Sequence, residues 1–232
     1  MPSLVGSEMC IRDRRDFGPS LSPQSAFNLL QGVETLPQRM DAHLANAKQV
    51  VSWLVEDQRI AYVNYAGLED HPHHERAKKL LPLGVGSVFS FGVKGTEKAS
   101  GRLVGGEFIG ALQLASHLAN IGDSRTLVLH PGSTTHQQLS REQLEAAGVG
   151  EDLIRISVGL EDIEDIIWDL DQALTYATGL NHAGERVGES SADKIVEAEE
   201  AVAAAKAAED AAAAEAAAGA SCSLPTTTQE EK

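Results

Sequence analysis

The sequence predicts an α/β protein, more specifically an α+β two-layer sandwich with helices packed on one small sheet. Between residues 22 and 180, apolar residues follow helical spacing in some segments and strand alternation in others. The chain has 232 residues, of which 42% are apolar, so it can bury a core. A long leading helix followed by short mixed elements fits one domain of about 150 residues.

Two leading helices are predicted from apolar residues three and four positions apart. Phe27, Leu30 and Val33 lie on one helical face. A second apolar stripe runs through Met40, Leu44, Ala47, Val51 and Leu54. Thr35 can cap a helix and Pro37 is tolerated in a first turn, so the second helix is predicted to restart there.

The other elements are predicted from the same two periodicities. Strands are expected over 60–65, 86–93, 126–130 and 153–158. Helices are expected over 71–80, 108–119, 134–147 and 163–174. Elements of the two kinds therefore interleave around a single sheet.

The composition changes near residue 189. The last 42 residues, 191–232, contain 16 alanines and no aromatic side chain. Residues 192–218 have high helix propensity but no stripe of large apolar residues, so we expect an exposed, frayed helix. An interaction tail is the alternative.

The first fifteen residues, MPSLVGSEMCIRDRR, show neither strand alternation nor helical spacing. The string resembles adaptor-derived readthrough at the ends of gene models. We therefore expect residues 1–15 to be a non-native leader and the natural sequence to continue upstream of Phe17, so that this chain is truncated.

Charge and composition exclude several functions. A formal net charge of −15 repels phosphate backbones and anionic lipid surfaces, so neither nucleic acid nor a membrane is expected as a partner. No apolar run reaches the roughly 20 residues of a membrane helix, and no signal pattern opens the chain. A cytoplasmic protein is expected. Cys10 and Cys222 lie near opposite ends, which supports neither a disulfide nor a thiolate metal site.

Arg155 is the most informative candidate site residue. Ile154 and Ile156 share the apolar face of a predicted strand, which places Arg155 on the opposite face. A guanidinium on a rigid strand can bind a carboxylate through two parallel hydrogen bonds. The alternative is a surface arginine paired with Asp152 or Glu151.

The segment from His130 to His136 follows a predicted strand and opens a predicted helix. Ser133 and Thr134 are suitable N-cap residues, and free backbone N–H groups in such a turn could face an anion. A capped turn with two surface histidines is the alternative.

Two other patterns do not predict sites. The histidines of 71–75 are adjacent, so their side chains do not converge, and no metal site is expected. The glycines at 101, 105 and 106 lack the Lys-Ser/Thr or strand–helix context of a phosphate loop.

Five ordered stretches between residues 22 and 175 resemble a known family. They are LLQGVETLPQRM at 29–40, GSVFSFGVKG at 86–95, LQLASHLANIGD at 112–123, LVLHPGSTTH at 127–136 and LIRISVGLED at 153–162. This part of the chain resembles the C-terminal portion of the Cys/Met-metabolism family of pyridoxal-phosphate enzymes, especially its O-acetylhomoserine sulfhydrylase branch. The resemblance implies the C-terminal domain of the fold-type I transferase fold.

The resemblance also implies roles for two residues. The arginine that matches Arg155 binds the substrate α-carboxylate, so Arg155 is the first substrate-binding candidate. Asn120 stands where relatives carry the serine of Ser-Leu-Gly beside that carboxylate, which makes it the second candidate and favours the sulfhydrylase branch. The segment from His130 to His136 is similar to a loop near the active-site entrance and is given no catalytic role.

The implied activity is a step of methionine biosynthesis and transsulfuration. Pyridoxal phosphate, bound to a lysine, serves as electron sink while the γ-acetoxy group of O-acetylhomoserine is eliminated and sulfide or a thiol adds. Homocysteine or methionine and acetate result. Cystathionine γ-synthase or methionine γ-lyase chemistry is an alternative, and a non-catalytic docking or regulatory subunit is another.

The family's Ser-x-Thr-Lys motif does not occur in the sequence, so the lysine for the cofactor is expected outside this chain and the fragment is expected to be inactive. The expected organisation is a leader at 1–15, linking helices at 16–58, a C-terminal small domain at 59–180 and an Ala/Glu-rich tail at 181–232. Relatives form tetramers, so a homotetramer is expected for the full-length protein.

Overall fold

A computed structural model describes residues 21–131, 134, 143 and 148–220, with only the backbone described for 208–220. Its helices are α1 (Pro23–Glu34), α2 (Leu36–Glu56), α3 (His74–Leu80), α4 (Gly101–Ala111), α5 (Ile163–Thr178) and α6 (Ser191–Ala220). Its strands are β1 (Ile60–Asn64), β2 (Val88–Val93), β3 (Ser116–His117), β4 (Leu127–Leu129) and β5 (Leu153–Ser157).

The two leading helices are separated as predicted. The hydroxyl of Ser22 accepts a hydrogen bond from the Ser25 N–H and caps α1. Thr35 both ends α1 and precedes α2, and Pro37 lies in the first turn of α2. The predicted restart between the helices is therefore confirmed.

The five described strands form one sheet in the order β1-β2-β5-β4-β3. Only β3 and β4 run parallel, and the other neighbouring pairs are antiparallel. In β5, Arg155 lies opposite Ser90 of β2 and opposite Leu129 of β4. Arg155 therefore lies on a central strand of the sheet.

Helices cover the apolar face of this sheet. Phe91 of β2 is paired with Ile154 of β5, and both are fully buried. The Phe91 ring contacts Phe108 of α4 edge to face, with centroids 6.1 Å apart. Helices α2 and α5 pack beside α4 over the same core. The predicted α+β two-layer sandwich is thus confirmed.

The bounds predicted for the helix over 108–119 are wrong. In the structure α4 (Gly101–Ala111) starts seven residues and ends eight residues earlier than predicted, and the Ser100 hydroxyl caps it. Beyond residue 111 the chain turns into β3, and the N–H groups of Gln113, Leu114 and Ala115 donate to the buried carboxylate of Asp169. A side chain from a distant helix thus captures the donors that a longer helix would have used.

The helix predicted in the tail is present as α6, but its first turn is not exposed. Ala192 is fully buried, and the Ser190 hydroxyl donates to the Ala177 carbonyl at the end of α5. Asp193 accepts a hydrogen bond from the Thr96 hydroxyl. From residue 197 to 207 the side chains are exposed. Among the tail residues whose side chains are described, contacts with the domain therefore come from the first two turns of α6 and the residue before it.

Two smaller differences concern the other predicted helices. The helix predicted from residue 71 begins at His74, after a turn. The helix predicted over 134–147 lies almost entirely outside the described residues. None of the helices described here combines the length and apolar character needed to cross a membrane.

Candidate substrate-binding site

Arg155 occupies the face of β5 that the helices leave uncovered. Strand alternation buries Ile154 and Ile156 in the core and directs Arg155 to the other side, where it is only partly buried. Arg155 forms no ion pair within the described part of the chain, so the pairing with Asp152 or Glu151 considered above is not found. Asp152 lies instead near Tyr62 and Gly92, at the beginning of β5.

The structure brings the two predicted site residues together. Arg155 Nη2 donates a hydrogen bond of 3.3 Å to the main-chain carbonyl oxygen of Asn120. This contact joins residues 35 positions apart in sequence, across strand β4. Because the acceptor is a neutral carbonyl, the charge of Arg155 stays uncompensated in the described site. The guanidinium is therefore well suited to receive a carboxylate.

The side chain of Asn120 is part of a local network. Its Oδ1 accepts from the Ile121 N–H at 2.9 Å, and its Nδ2 donates to Asp123 Oδ2 at 3.4 Å. Asp123 also accepts from the Arg125 N–H at 3.0 Å. That backbone hydrogen bond, together with the one from Asn120, lowers the pKa of Asp123. The ionised carboxylate thus holds the loop that presents Asn120.

Asp169 of α5 fixes the chain before this loop. Its carboxylate accepts from three consecutive backbone N–H groups, at 2.7, 3.0 and 2.8 Å, and the residue is 1% exposed. Gln172, one turn along the helix, donates to the Ala111 carbonyl and to Asp169 Oδ1. The turn leading to β3 and Asn120 is therefore attached to the core helix.

Helix α2 fixes the end of the strand that carries Arg155. The buried His43 ring hydrogen-bonds through Nδ1 to the Val158 carbonyl at 2.7 Å. Asn46 donates to the carbonyls of Gly159 and Glu161. Glu161 in turn accepts from the Thr126 N–H and hydroxyl. These contacts hold the segment after β5 against the segment before β4.

His130 directly follows β4 and is buried. Its Nε2 hydrogen-bonds with the Glu151 carbonyl at 2.8 Å, and its own carbonyl accepts from the Thr134 hydroxyl. Burial lowers the pKa of His130, against the opposing effect of the Glu151 hydrogen bond. The alternative of a capped turn with two surface histidines is therefore wrong for His130, which is buried. Ser133 and His136 lie outside the described residues.

The described residues do not fit the lysine-bound cofactor. All seven lysines in the described part of the chain are exposed, and Lys94 donates to the Gln58 carbonyl. A lysine that binds an aldehyde is activated by desolvation or by a neighbouring cationic group, and an exposed position provides no desolvation. None of the seven described lysines is therefore assigned to the cofactor. Among described side chains, no group of three His, Cys, Asp or Glu is placed to hold a metal ion.

Sequence reasoning missed the residues that support the site. The sequence does indicate that Asp169 is buried, because it lies three residues after Ile166 and next to Leu170, within the apolar stripe of α5. An acid at such a position must find hydrogen-bond donors. His43 and Asn46 carried no such signal, since polar residues are common on a helix of this kind.

Comparisons with known proteins agree with the fold. A sequence profile of the Cys/Met metabolism PLP-dependent enzyme family matches residues 6–175. O-acetyl-L-homoserine sulfhydrylase 1 of Thermus thermophilus is 48% identical over 160 residues, which are 69% of this chain and 37% of the relative. Homocysteine/cysteine synthase of Saccharomyces cerevisiae is 48% identical over 68% of this chain and 37% of its own length.

Two solved structures are also similar. The crystal structure of an O-acetylhomoserine (thiol)-lyase from Campylobacter jejuni, which contains a pyridoxyl-lysine phosphate, is 40% identical with a TM-score of 0.60. The matched region covers 69% of this chain and 37% of the Campylobacter jejuni chain. Cystathionine gamma-lyase from Lactobacillus plantarum, complexed with L-serine, is 28% identical with a TM-score of 0.62, over 75% of this chain and 44% of that one.

The chain spans less than half the length of these relatives. The profile nevertheless covers well over half of the chain and includes both Asn120 and Arg155. The two-layer domain with its strand-borne arginine therefore belongs to the Cys/Met metabolism family of pyridoxal-phosphate-dependent enzymes.

Proposed function

We propose that this chain is the C-terminal part of an O-acetylhomoserine sulfhydrylase-like enzyme, in which Arg155 binds the α-carboxylate of the amino-acid substrate. The full enzyme converts O-acetylhomoserine and sulfide or a thiol to homocysteine or methionine and acetate. The observation that carries the proposal is the contact between Arg155 and Asn120, since it joins the two residues that the family resemblance implies. The names of the relatives support the reaction.

In this proposal the two residues have different roles. Arg155 supplies the charge and the paired donors for the carboxylate. Asn120 orients Arg155 through its carbonyl oxygen, and its side chain amide lies at the same loop for contact with substrate. The exposed position of Asn120 leaves it accessible to a ligand.

The domain boundaries belong to the same proposal. Residues 16–58 lead from a cofactor-binding domain, 59–180 form the small domain, and 181–232 form the tail. Residues 1–15 form a non-native leader, although the family profile already begins at residue 6. We place the full enzyme in the cytoplasm as a homotetramer, on the strength of the composition and of the family resemblance.

Replacement of Arg155 tests the binding role. In an intact enzyme that carries this segment, Arg155→Lys is expected to raise KM for O-acetylhomoserine by about tenfold or more, because an ammonium cannot reproduce two parallel hydrogen bonds. KM and kcat are measured by release of acetate. Arg76→Lys, at an exposed position of α3, is the matched control and should change neither value. An unchanged KM for Arg155→Lys would refute the binding role.

The purified 232-residue chain is expected to be inactive alone. The seven described lysines are exposed and the sequence lacks Ser-x-Thr-Lys, which supports a cofactor lysine in another segment. The assay supplies pyridoxal phosphate, O-acetylhomoserine and sulfide, with the Thermus thermophilus enzyme as positive control. Formation of homocysteine by the chain alone would contradict this part of the proposal.

A docking subunit is the second candidate function, and helix α1 favours it. None of the residues of α1 is buried. Phe27, Leu30 and Val33 are apolar and lie on one face, yet each of them is more than half exposed. Large exposed apolar patches mark contacts with other protein surfaces. The occupant proposed here is a full-length relative.

Co-elution with the full-length Thermus thermophilus enzyme tests the docking candidate. If the chain docks through α1, Leu30→Asp should abolish co-elution while Asn28→Asp, on the polar side of the same helix, should preserve it. Absence of co-elution with the unmodified chain would count against docking and would leave the truncated enzyme as the proposal.

A further inference from the structure

A second candidate site lies away from Arg155 and Asn120. A cavity of about 340 Å³ is bounded by α2, the segment after β1, helix α3 and the segment that follows α3. It shares no lining residue with the substrate-binding site described above. The cavity is therefore separate from the proposed substrate-binding site.

The charge of this cavity is opposite to that of the chain. Lys48 of α2 and Lys78 of α3 line it from two different elements, and no acidic residue is among the described residues around it. Neither lysine forms an ion pair with a described side chain, whereas Lys98 and Lys194 pair with Glu197 and Glu189. In a protein with a net charge of −15, two unpaired lysines at one cavity form a local attraction for anions.

His74 supplies a second polar observation at the same cavity. It lines the space together with Lys78, one turn further along α3, and its Nδ1 atom is buried with no hydrogen-bond partner among the described residues. A buried nitrogen without a partner costs free energy. His74 thus adds an unsatisfied polar atom to the side chains that line the cavity.

The remaining lining is apolar. Leu81, Pro82, Leu83 and Val85 follow α3 along one side, and Leu83 is 90% exposed. The Tyr65 ring lies on another side, and its hydroxyl is already used in a hydrogen bond to the Gly86 carbonyl. An exposed leucine beside two lysines matches a ligand that has both a charged end and an apolar end.

We propose that this cavity binds a small organic acid, with its carboxylate between Lys48 and Lys78 and its apolar part against the segment from Leu81 to Val85. The charges exclude an organic cation. The apolar side distinguishes this ligand class from an inorganic anion, which would leave Leu83 exposed. The site extends beyond the proposed function, because it would remain whether or not Arg155 binds substrate.

Titration of the full 232-residue chain with hexanoate tests the proposal. Backbone amide signals of Tyr65, His74 and Val85 are followed by NMR, and saturable shifts are expected. Lys48→Ala and Lys78→Ala should each weaken hexanoate binding by about three- to fivefold, as expected for loss of one exposed charge pair. Lys79→Ala is the matched control, because Lys79 neighbours Lys78 on α3 but does not line the cavity. It should change the affinity by less than about twofold.

Hexanol and sulfate separate the two parts of the ligand. Hexanol retains the apolar chain without charge, and sulfate retains charge without the chain, so each is expected to bind more weakly than hexanoate. Failure to saturate with hexanoate, equal binding of sulfate, or equal weakening by Lys79→Ala would each overturn the proposal. All three lysines are exposed, so their substitution should not affect folding, which urea unfolding checks.

Discussion

Replacing Arg59 with Met is expected to destabilise the chain by about 3–5 kcal/mol, which is the cost of removing one partner of a buried ion pair. Arg59 is 1% exposed and lies between β1 and α5. Its Nη2 atom forms ion pairs of 2.6 Å with both Asp57 and Asp171. Its Nη1 atom donates to the Thr175 hydroxyl and to the Leu180 carbonyl.

The large effect follows from what the substitution leaves behind. Asp57 has a fully buried side chain, so without Arg59 its carboxylate would have no buried cation beside it. Burial would by itself lower the pKa of Arg59, but hydrogen bonds from the guanidinium to Asp57 and Asp171 outweigh that effect and raise it. The arginine therefore stays charged in the core.

Urea unfolding of the 232-residue chain measures this loss. Lys194→Met is the matched control, because Lys194 pairs with Glu189 at the surface, where both side chains are more than half exposed. Its effect on stability should be much smaller than that of Arg59→Met, because water and salt screen an exposed ion pair. A similar small loss for Arg59→Met would show that the buried network contributes little to stability.

Asp169→Asn is expected to lower the free energy of unfolding by about 2–4 kcal/mol. One carboxylate oxygen would be replaced by an amide nitrogen, which is itself a hydrogen-bond donor and cannot accept from the backbone N–H groups. The native carboxylate accepts from the N–H groups of Gln113, Leu114 and Ala115. Asparagine has a single acceptor oxygen, so at least one of these three N–H groups is expected to lose its hydrogen bond. The turn that leads to Asn120 should then open more often than the rest of the domain.

Hydrogen exchange of those three amides provides the direct readout, alongside urea unfolding. Exchange is expected to accelerate at residues 113–115 more than in strand β5. Asp165→Asn is the matched control, since Asp165 lies on the same helix but is exposed in its first turn. It should cost about 0.3–1 kcal/mol through the helix dipole alone. Equal effects of the two substitutions would contradict the role of Asp169.

Local sequence patterns predicted most of the elements. The pair Thr35 and Pro37 identified the break between α1 and α2, because both residues act through their nearest neighbours. The alternation around Arg155 gave its side of the sheet for the same reason. The position of Arg155 beside Asn120 was implied by the family resemblance, and no spacing rule would have joined two residues 35 positions apart.

The errors arose where distant residues decide local structure. Helix α4 ends at Ala111 because Asp169, 56 residues beyond Gln113, binds the next backbone donors. The first turn of α6 is buried because Ser190 and Ala192 meet the end of α5, although alanine alone gives no packing signal. In both cases the partner group belongs to α5: the Asp169 carboxylate in the first and the Ala177 main-chain carbonyl in the second. The apolar stripe of α5 was identified from the sequence, but these contacts were not.

The hydrogen bond from Arg155 to the Asn120 carbonyl links ligand occupancy to the shape of a loop. A ligand that draws Nη2 away from this carbonyl removes the one hydrogen bond that Arg155 gives to Asn120. Asp123 holds the same loop independently of Arg155, because it accepts hydrogen bonds from the Asn120 side-chain amide and from the Arg125 N–H. Binding of a carboxylate by Arg155 is therefore expected to weaken its main-chain contact with Asn120 while the side-chain network of the 120–123 turn stays in place.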